Sequence, residues 1–164
     1  MLFFNILGAG LAQPARKNVV FYPCGVFQTV KVIINGEPLS TPGIIYNQRA
    51  YLPARLTLMD LGGNVTWVAK ERTFYAQFPS QKTIIKVDVQ SPVITIYQYD
   101  PDAQYGVGEQ IRAVNVGLPY RCGRQYYLPI RATSEATGAV VKYDQSQRIL
   151  YVTASEKTIS EQAR

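Results

Sequence analysis

Apolar and polar residues alternate along most of the chain, and this period of two is typical of β-strands with one buried face. Clear examples are "TVKVII" at 29–34 and "TFYAQF" at 73–78. Two stretches interrupt the alternation, "PARLTLMDL" at 53–61 and "PIRATSEAT" at 129–137, and each starts with a proline and is followed by a glycine. The pattern predicts a strand-dominated α+β fold with two short helices.

The ends of these two helices are marked by four candidate structural residues. Pro53 and Pro129 are predicted as the first helical residues, because a missing N–H leaves no bond unmade there. Gly62 and Gly138 are predicted to follow the last helical residue, where the backbone often turns left-handed. Each helix is therefore expected to run for about nine residues, at 53–61 and at 129–137.

The same pattern occurs twice, and the second copy lies 76 residues after the first without any gap. Self-similarity at a fixed offset indicates a duplicated structural unit. We therefore interpret the chain as two tandem copies of one unit. The aligned pairs are Tyr51 and Tyr127, Leu52 and Leu128, Pro53 and Pro129, Arg55 and Arg131, Thr57 and Thr133, Gly62 and Gly138, Val65 and Val141, Trp67 and Tyr143, Arg72 and Arg148, and Tyr75 and Tyr151.

Each copy has the order β-hairpin, short helix, β-hairpin. In the second copy, "AVNVGLPY" at 113–120 is predicted as the leading strand, and "DPDAQYGVGEQ" at 100–110 as a loop before it. We expect the two units to pack as one or two small domains. The predicted segments are an N-terminal arm or residual signal segment at 1–28, the first repeat at 29–90, the second repeat at 91–154 and a polar tail at 155–164.

The N-terminal stretch "MLFFNILGAGLA" at 1–12 is apolar and contains no lysine or arginine. It is too short to cross a bilayer, so no membrane span is expected. Two alternatives remain. One is a truncated or weak signal peptide, and the other is an apolar arm that packs on its own domain or on a neighbouring subunit.

The residue counts exclude several kinds of chemistry. The chain has no histidine, which removes Ser-His-Asp and Cys-His triads and imidazole ligation of metals. Two cysteines alone cannot build a structural zinc site. Cys24 and Cys122 are either two buried thiols or one disulfide formed in an oxidising compartment.

The net charge of +6 is spread along the chain and is typical of a solvated, mildly cationic surface. The sharper alternative is a basic face for a polysaccharide or another anionic polymer, with nucleic acid not favoured. The densest mixture of aromatic and basic residues is formed by Tyr120, Arg121, Arg124 and Tyr126. Stacking rings and cations together suit polymer binding, although strand alternation would divide these four residues between two faces.

Two longer stretches carry a resemblance to a known family. "INGEPL" at 34–39 with "PGIIYNQRAYLPARLTLMDLGGNVTWVAKERTFYAQF" at 42–78, and "GRQYYLPIRATSEATGAVVKYDQSQRILYVT" at 123–153, resemble the copper amine oxidase N-terminal domain-like family, also called stalk domains. Leu52 and Leu128 replace the usual valine of that family.

The resemblance implies a non-catalytic module, found mostly in secreted or cell-surface bacterial proteins. It covers only the accessory domain of the oxidases, whose catalytic domain uses histidines for copper and a modified tyrosine. The nearest match to that tyrosine motif here is "KYD" at 142–144, which lacks the asparagine.

Four further residues are predicted to have structural roles in the two units. Arg55 and Arg131 are expected to fold over strand carbonyls or a carboxylate and so tie helix to sheet, with anion binding as the alternative. Trp67 and Tyr143, which stands where the family has tryptophan, are expected as core or cross-strand anchors. A sugar-stacking platform is the alternative for these rings.

No cofactor and no metal site is predicted. Asp100 and Asp102, with Glu109 nearby, could hold calcium only loosely, since no EF-hand spacing is present. We therefore expect this segment to be a solvated loop.

The leading hypothesis is a non-enzymatic, secreted or cell-surface structural module. It would act as a spacer, an adhesin or a self-assembling envelope subunit that could form filaments, with self-association or other envelope proteins as partners. Strand edges and the apolar arm would permit strand donation to a neighbour. The alternative is a binding module for polysaccharide or another anionic polymer. An enzyme is the third choice, because no paired acid and base residues stand out.

Overall fold

The computed structural model describes residues 19–22 and 24–154, and this part folds into two β-sheets and two α-helices. The strand-dominated α+β fold predicted from the sequence is confirmed. The strands are β1 (Val19–Tyr22), β2 (Gly25–Ile34), β3 (Glu37–Pro38), β4 (Gly43–Tyr46), β5 (Arg49–Pro53), β6 (Asn64–Val68), β7 (Thr73–Phe78), β8 (Thr83–Asp88), β9 (Val93–Tyr99), β10 (Val107–Asn115), β11 (Tyr120–Cys122), β12 (Gln125–Pro129), β13 (Val140–Asp144) and β14 (Ile149–Thr153). The helices are α1 (Ala54–Asp60) and α2 (Ile130–Ala136).

The larger sheet has the strand order β11-β12-β5-β4-β2-β14-β13, with β1 and β3 each paired to a further part of β2. Its pairs are antiparallel except for β2 and β14, which run parallel with Ile149 opposite Lys31. The long strand β2 therefore joins the start of the first repeat to the last strand of the second. The boundary predicted at residue 28 lies inside β2.

The smaller sheet is an antiparallel meander with the order β10-β9-β8-β7-β6. Three 3₁₀ turns interrupt the chain around it, at Ala69–Glu71, Pro79–Gln81 and Gln104–Gly106. The register of β10 on β9 shifts twice, between Val107 and Arg112. The boundary predicted between residues 90 and 91 lies in the turn that joins β8 to β9.

The two repeats are related by an approximate two-fold axis between β5 and β12. Leu52 lies opposite its own aligned residue, Leu128, in this antiparallel pair. Helix α1 packs on β12 as well as on β5, and α2 packs on β5 as well as on β12. Each unit therefore contributes its first hairpin to the packing of the other unit's helix.

One hydrophobic core serves both repeats. It includes Leu52 and Leu58 from the first unit and Leu128 and Ile130 from the second, all fully buried, together with Phe78 from the smaller sheet. Burial of large apolar side chains is the main stabilising contribution to a fold of this size. The two units therefore stabilise each other.

The helices lie where the sequence predicts them, but each proline lies one position earlier than expected. Pro53 and Pro129 are the last residues of β5 and β12 and directly precede the helices, with ψ angles of 128° and 110°. Sheet pairing explains the difference, because each proline lies opposite a tyrosine of the other unit and stays extended. Gly62 and Gly138 follow the helices with φ angles of 98° and 87°, as predicted.

Two sequence expectations around the second unit are wrong. The stretch 113–120 is not one strand, because Asn115 ends β10 in the smaller sheet and Tyr120 begins β11 in the larger one. Gly117, with a φ angle of 94°, lies in the crossing between them. The predicted loop at 100–110 also contains the start of β10, which pairs with β9.

Candidate functional site

A groove of about 600 Å³ lies beside α2, on the inner face of the larger sheet. Its apolar lining comes from four strands and includes Val30, Ile45, Ala50 and Leu150. Leu150 belongs to the second unit, whereas the other three belong to the first. The groove is therefore formed where the two units meet.

Three arginines line this groove, Arg49, Arg131 and Arg148, and all three are exposed. In the part of the chain that the structure describes, no carboxylate forms an ion pair with them and no acceptor takes a hydrogen bond from their side chains. One acidic residue, Glu135, lines the same groove. The groove thus carries more positive than negative charge, and none of its three arginines forms an ion pair among the described residues.

Local backbone geometry fixes where these arginines lie. Arg49 begins β5 directly after a tight turn in which Asn47 and Gln48 have φ angles of 45° and 62°. Such left-handed pairs are typical of two-residue hairpin turns. Arg148 itself has a φ angle of 57° in the turn before β14. Arg131 is the second residue of α2.

Neutral hydrogen-bonding groups and one aromatic ring complete the lining. Gln28, Gln48 and Asn115 supply amide groups, each with donors and acceptors. Tyr143 on β13 supplies a ring that is 46% exposed. The groove therefore combines cations, amides, an apolar floor and an exposed aromatic ring.

The corresponding place in the first unit is filled by aromatic side chains. Trp67, which aligns with Tyr143, lies 4.4 Å from the Phe74 ring and 5.7 Å from the Tyr126 ring, measured between centroids. Phe74 aligns with Leu150, and Tyr126 aligns with Ala50. Smaller side chains at these aligned positions leave the space beside the second helix open.

Arg55 and Arg131, which the sequence predicts to tie helix to sheet, are exposed. Among the described residues neither side chain donates a hydrogen bond, so the predicted clamp has no support here. For α2 a tie is made instead by Arg112, whose Nη2 donates to the Ala136 carbonyl at 2.6 Å, and by Gln81, whose Nε2 donates to the Thr137 carbonyl at 3.1 Å. These donors satisfy carbonyls at the C-terminal end of α2. They lie 24 and 56 residues from their acceptors, so no local sequence pattern marks them.

The structure does not bring the four predicted polymer-binding residues onto one surface. Tyr120 stacks on Tyr46 at 4.4 Å on the outer face of the larger sheet. Arg121 lies over the Tyr126 ring at 5.8 Å, on the inner face. Adjacent residues of a strand point to opposite faces, which explains the division. Arg124 lies exposed in the turn between β11 and β12.

Cys24 and Cys122 are joined by a disulfide in the structure, with their Cα atoms 5.2 Å apart. The bond links the turn before β2 to the end of β11. Around it lies a second apolar cluster, on the outer face of the larger sheet, that includes Phe27, Tyr51 and Tyr127. The disulfide therefore ties the start of the described chain to the second unit.

The acidic segment after β9 forms a turn. The backbone N–H of Asp102 donates to Asp100 Oδ1 at 3.0 Å. Throughout residues 19–22 and 24–154, no three acidic, cysteine or histidine residues converge as metal ligands. Within these same residues, neither helix has the length and apolar character required to cross a bilayer.

A tyrosine cluster lies on the outer face of the smaller sheet. Tyr75 and Tyr105 stack at 4.6 Å, and the Tyr75 hydroxyl donates to Glu71 Oε2 at 2.8 Å. Burial first, and then this hydrogen bond to Glu71, raise the pKa of Tyr75 well above its ordinary value. Tyr75 is therefore a protonated donor at neutral pH and not a base.

The shared core, the crossed helices and the two aligned units define a strand-dominated module built from two related halves. A family model described as copper amine oxidase N-terminal domain matches residues 33–117, just over half of the chain. The chain belongs to this family. The matched domain is the N-terminal one and not the catalytic domain of the oxidases. Neither the curated proteins nor the solved structures contain a match to this chain.

Proposed function

We propose that this protein is a structural module of the cell exterior, a stalk-type spacer that assembles with copies of itself. The observation that carries the proposal is the way the two units are joined. They share one core, pair through β5 and β12, and are tied by the disulfide between Cys24 and Cys122. A module joined in this way resists separation of its ends, which is the requirement for a spacer.

The disulfide also supports an exported location. Disulfides persist in oxidising compartments and are rare in the reducing cytosol. Cys24 and Cys122 are the only two cysteines of the chain, so no alternative pairing within one molecule competes. The family resemblance also supports an exported location, because it implies a module found mostly in secreted or cell-surface proteins.

Self-assembly is supported by an open strand edge. Strand β13 pairs only with β14 among the described strands, its register is regular over five residues, and Val140 on it is 56% exposed. The long edge strand β10 differs, because its two register shifts disrupt the edge and disfavour pairing. Strand β6, the other edge of the smaller sheet, exposes the polar Asn64 and Thr66 and is therefore less suited to an apolar partner strand. We propose that β13 accepts a strand from a neighbouring copy, donated by the apolar N-terminal stretch.

The location is tested by fractionating the source cells and mapping disulfides in the native protein by mass spectrometry without reduction. We expect the Cys24–Cys122 peptide pair in the extracellular or envelope fraction. Two free thiols in a cytosolic protein would contradict the proposal.

Assembly is tested by deleting residues 2–17, which leaves β1 and Cys24 in place. We expect the oligomers of the full chain, measured by light scattering and electron microscopy, to dissociate in this variant. Deletion of the polar tail 156–164 is the matched control and should leave the oligomers intact. Oligomers that survive the N-terminal deletion would rule out strand donation, while the location experiment would still test the spacer.

A further inference from the structure

We propose that the groove beside α2 binds a carboxylate-bearing saccharide, one segment of an acidic polysaccharide chain. This is a binding function additional to that of a spacer. It rests on the charge, the chemical composition and the shape of the groove.

The charge of the groove calls for an anion. Arg49, Arg131 and Arg148 line the groove together with one acidic residue, Glu135, and none of the three arginines forms an ion pair among the described residues. A guanidinium group is a rigid planar fork that matches a carboxylate with two parallel hydrogen bonds. Three unpaired arginines around one opening thus fit a ligand that carries several carboxylates.

The remaining lining fits a sugar ring. Gln28 and Gln48 offer both donors and acceptors, and Asn115, whose Oδ1 accepts the Gly117 N–H, offers its amide donors; these groups suit hydroxyl groups. Tyr143 offers an exposed ring face for the apolar side of a pyranose, and Ile45 and Ala50 extend that apolar surface. A phosphate ion would use only the arginines. Single-stranded nucleic acid would need successive rings on which bases stack, whereas this groove has one ring.

The size of the groove fits a short segment of such a polymer. A volume of about 600 Å³ falls within the roughly 300–1,000 Å³ usual for ligand sites. The three arginines are exposed at its rim, so a longer chain can continue beyond the segment that is bound.

The first unit supplies a built-in control for this proposal. Arg55 and Arg72 align with Arg131 and Arg148 and are exposed in the same way, but neither lines the groove. If binding depends on the groove, changes at the first pair should have no effect. If binding reflects general surface charge, both pairs should matter equally.

The test is isothermal titration of the full chain with an oligomer of galacturonic acid at low salt. We expect saturable binding that weakens as salt rises, because the contacts are charged. The neutral oligomer of glucose and a thymidine oligonucleotide of similar length serve as comparison ligands and should bind at least tenfold more weakly.

The variants Arg131→Gln and Arg148→Gln should each weaken binding about tenfold, the loss expected for one charge-assisted hydrogen bond. The matched variants Arg55→Gln and Arg72→Gln should bind as the unchanged protein does. Ala50→Tyr places in the groove the side chain that Tyr126 supplies in the first unit, and it should abolish binding while thermal unfolding stays cooperative.

Several outcomes would overturn the proposal. These are an absence of binding at low salt, equal binding of the neutral oligomer, tighter binding of the oligonucleotide, or an equal loss from Arg55→Gln. Binding that arises only after deletion of residues 2–17 would also overturn it, since the groove would then belong to the chain's own N-terminal stretch.

Discussion

The two units share their elements and their spacing, yet the space beside the helix is filled in one and open in the other. In the first unit Trp67 packs between Phe74 and Tyr126. In the second unit the aligned Tyr143 is 46% exposed beside a groove that Ala50 helps to line. Tyr126 and Ala50, the aligned residues that differ most in size, each lie beside the helix of the other unit. Each space is therefore lined by residues of both units.

This difference separates the residues that the fold needs from those that it tolerates. Proline before each helix, glycine after it and leucine at the two-fold axis recur at aligned positions. The side chains around the helix are free to change size, because the crossed packing supports the fold without them. A duplicated unit can therefore keep one copy filled for stability and leave the other open for a ligand.

The largest expected effect on stability concerns the disulfide, which makes the two units unequal. Cys122 aligns with Tyr46, so the first unit has no equivalent bond. Replacing both cysteines, as Cys24→Ser with Cys122→Ser, removes a link across 98 residues and should lower the free energy of unfolding by about 4 kcal/mol. Urea denaturation measures the loss. A change below about 1 kcal/mol would mean that packing alone holds the second unit's hairpin in place.

The next effect tests whether the units unfold together. Leu52→Ala and Leu128→Ala each leave a cavity at a fully buried position, and each should cost about 3 kcal/mol. Because the two side chains lie opposite each other, the losses should not add simply in the double variant. A single cooperative transition is expected in calorimetry for all three proteins. Two separate transitions would show that the units are independent domains.

A smaller effect should distinguish the filled space from the open one. Trp67→Ala removes a ring that packs against two others and should cost about 2 kcal/mol, less than a fully buried tryptophan. Tyr143→Ala removes a half-exposed ring and should cost under about 0.5 kcal/mol. Chemical denaturation of both variants gives the comparison, and equal losses would contradict it.

The smallest effect concerns the ends of the two helices. Asp60 ends α1, and its side-chain Oδ2 is buried without a hydrogen-bond partner in the described part of the chain, whereas the aligned residue of α2 is Ala136, which has no polar side chain. Burial raises the pKa of Asp60 above its ordinary value. Ionisation therefore opposes folding, and the wild type loses stability as pH rises through that raised pKa.

Asp60→Asn should thus stabilise the protein slightly at about pH 7 and have no such effect at about pH 3, where both forms are neutral. Urea midpoints at the two pH values measure the difference. A variant that is less stable at neutral pH would mean that the carboxylate makes a favourable contact.

Local sequence patterns predict most of the elements but not how distant elements meet. The helices follow from proline, glycine and broken alternation, and Gly62 and Gly138 lie where expected. The parallel pair of β2 with β14 has no local pattern, because its partners are far apart in the chain. The division of 113–120 between two sheets has no local pattern either, because it depends on which distant strands β10 and β11 pair with.

The groove was equally beyond local prediction. The groove is open because the small Ala50 packs near the second unit's helix, whereas the large Tyr126 packs near the first unit's helix. This difference can be predicted only if the crossed packing of the two units is known. The repeat marks Arg131 and Tyr143 as structural residues, but it does not mark Arg49, because its aligned residue is Gln125. A mismatch between aligned residues was the signal that could have drawn attention to it.

The parallel pairing of β2 with β14 determines when this chain can fold. Strand β14, the last strand in the described part of the chain, is an interior strand of the larger sheet and lies beside the long strand β2. During synthesis, the edge of β2 next to β14 stays unpaired until residues 149–153 become available. The larger sheet is therefore completed only after residues 149–153 have been synthesised, and a chain cut short before Ile149 leaves that edge of β2 free to pair with other polypeptides.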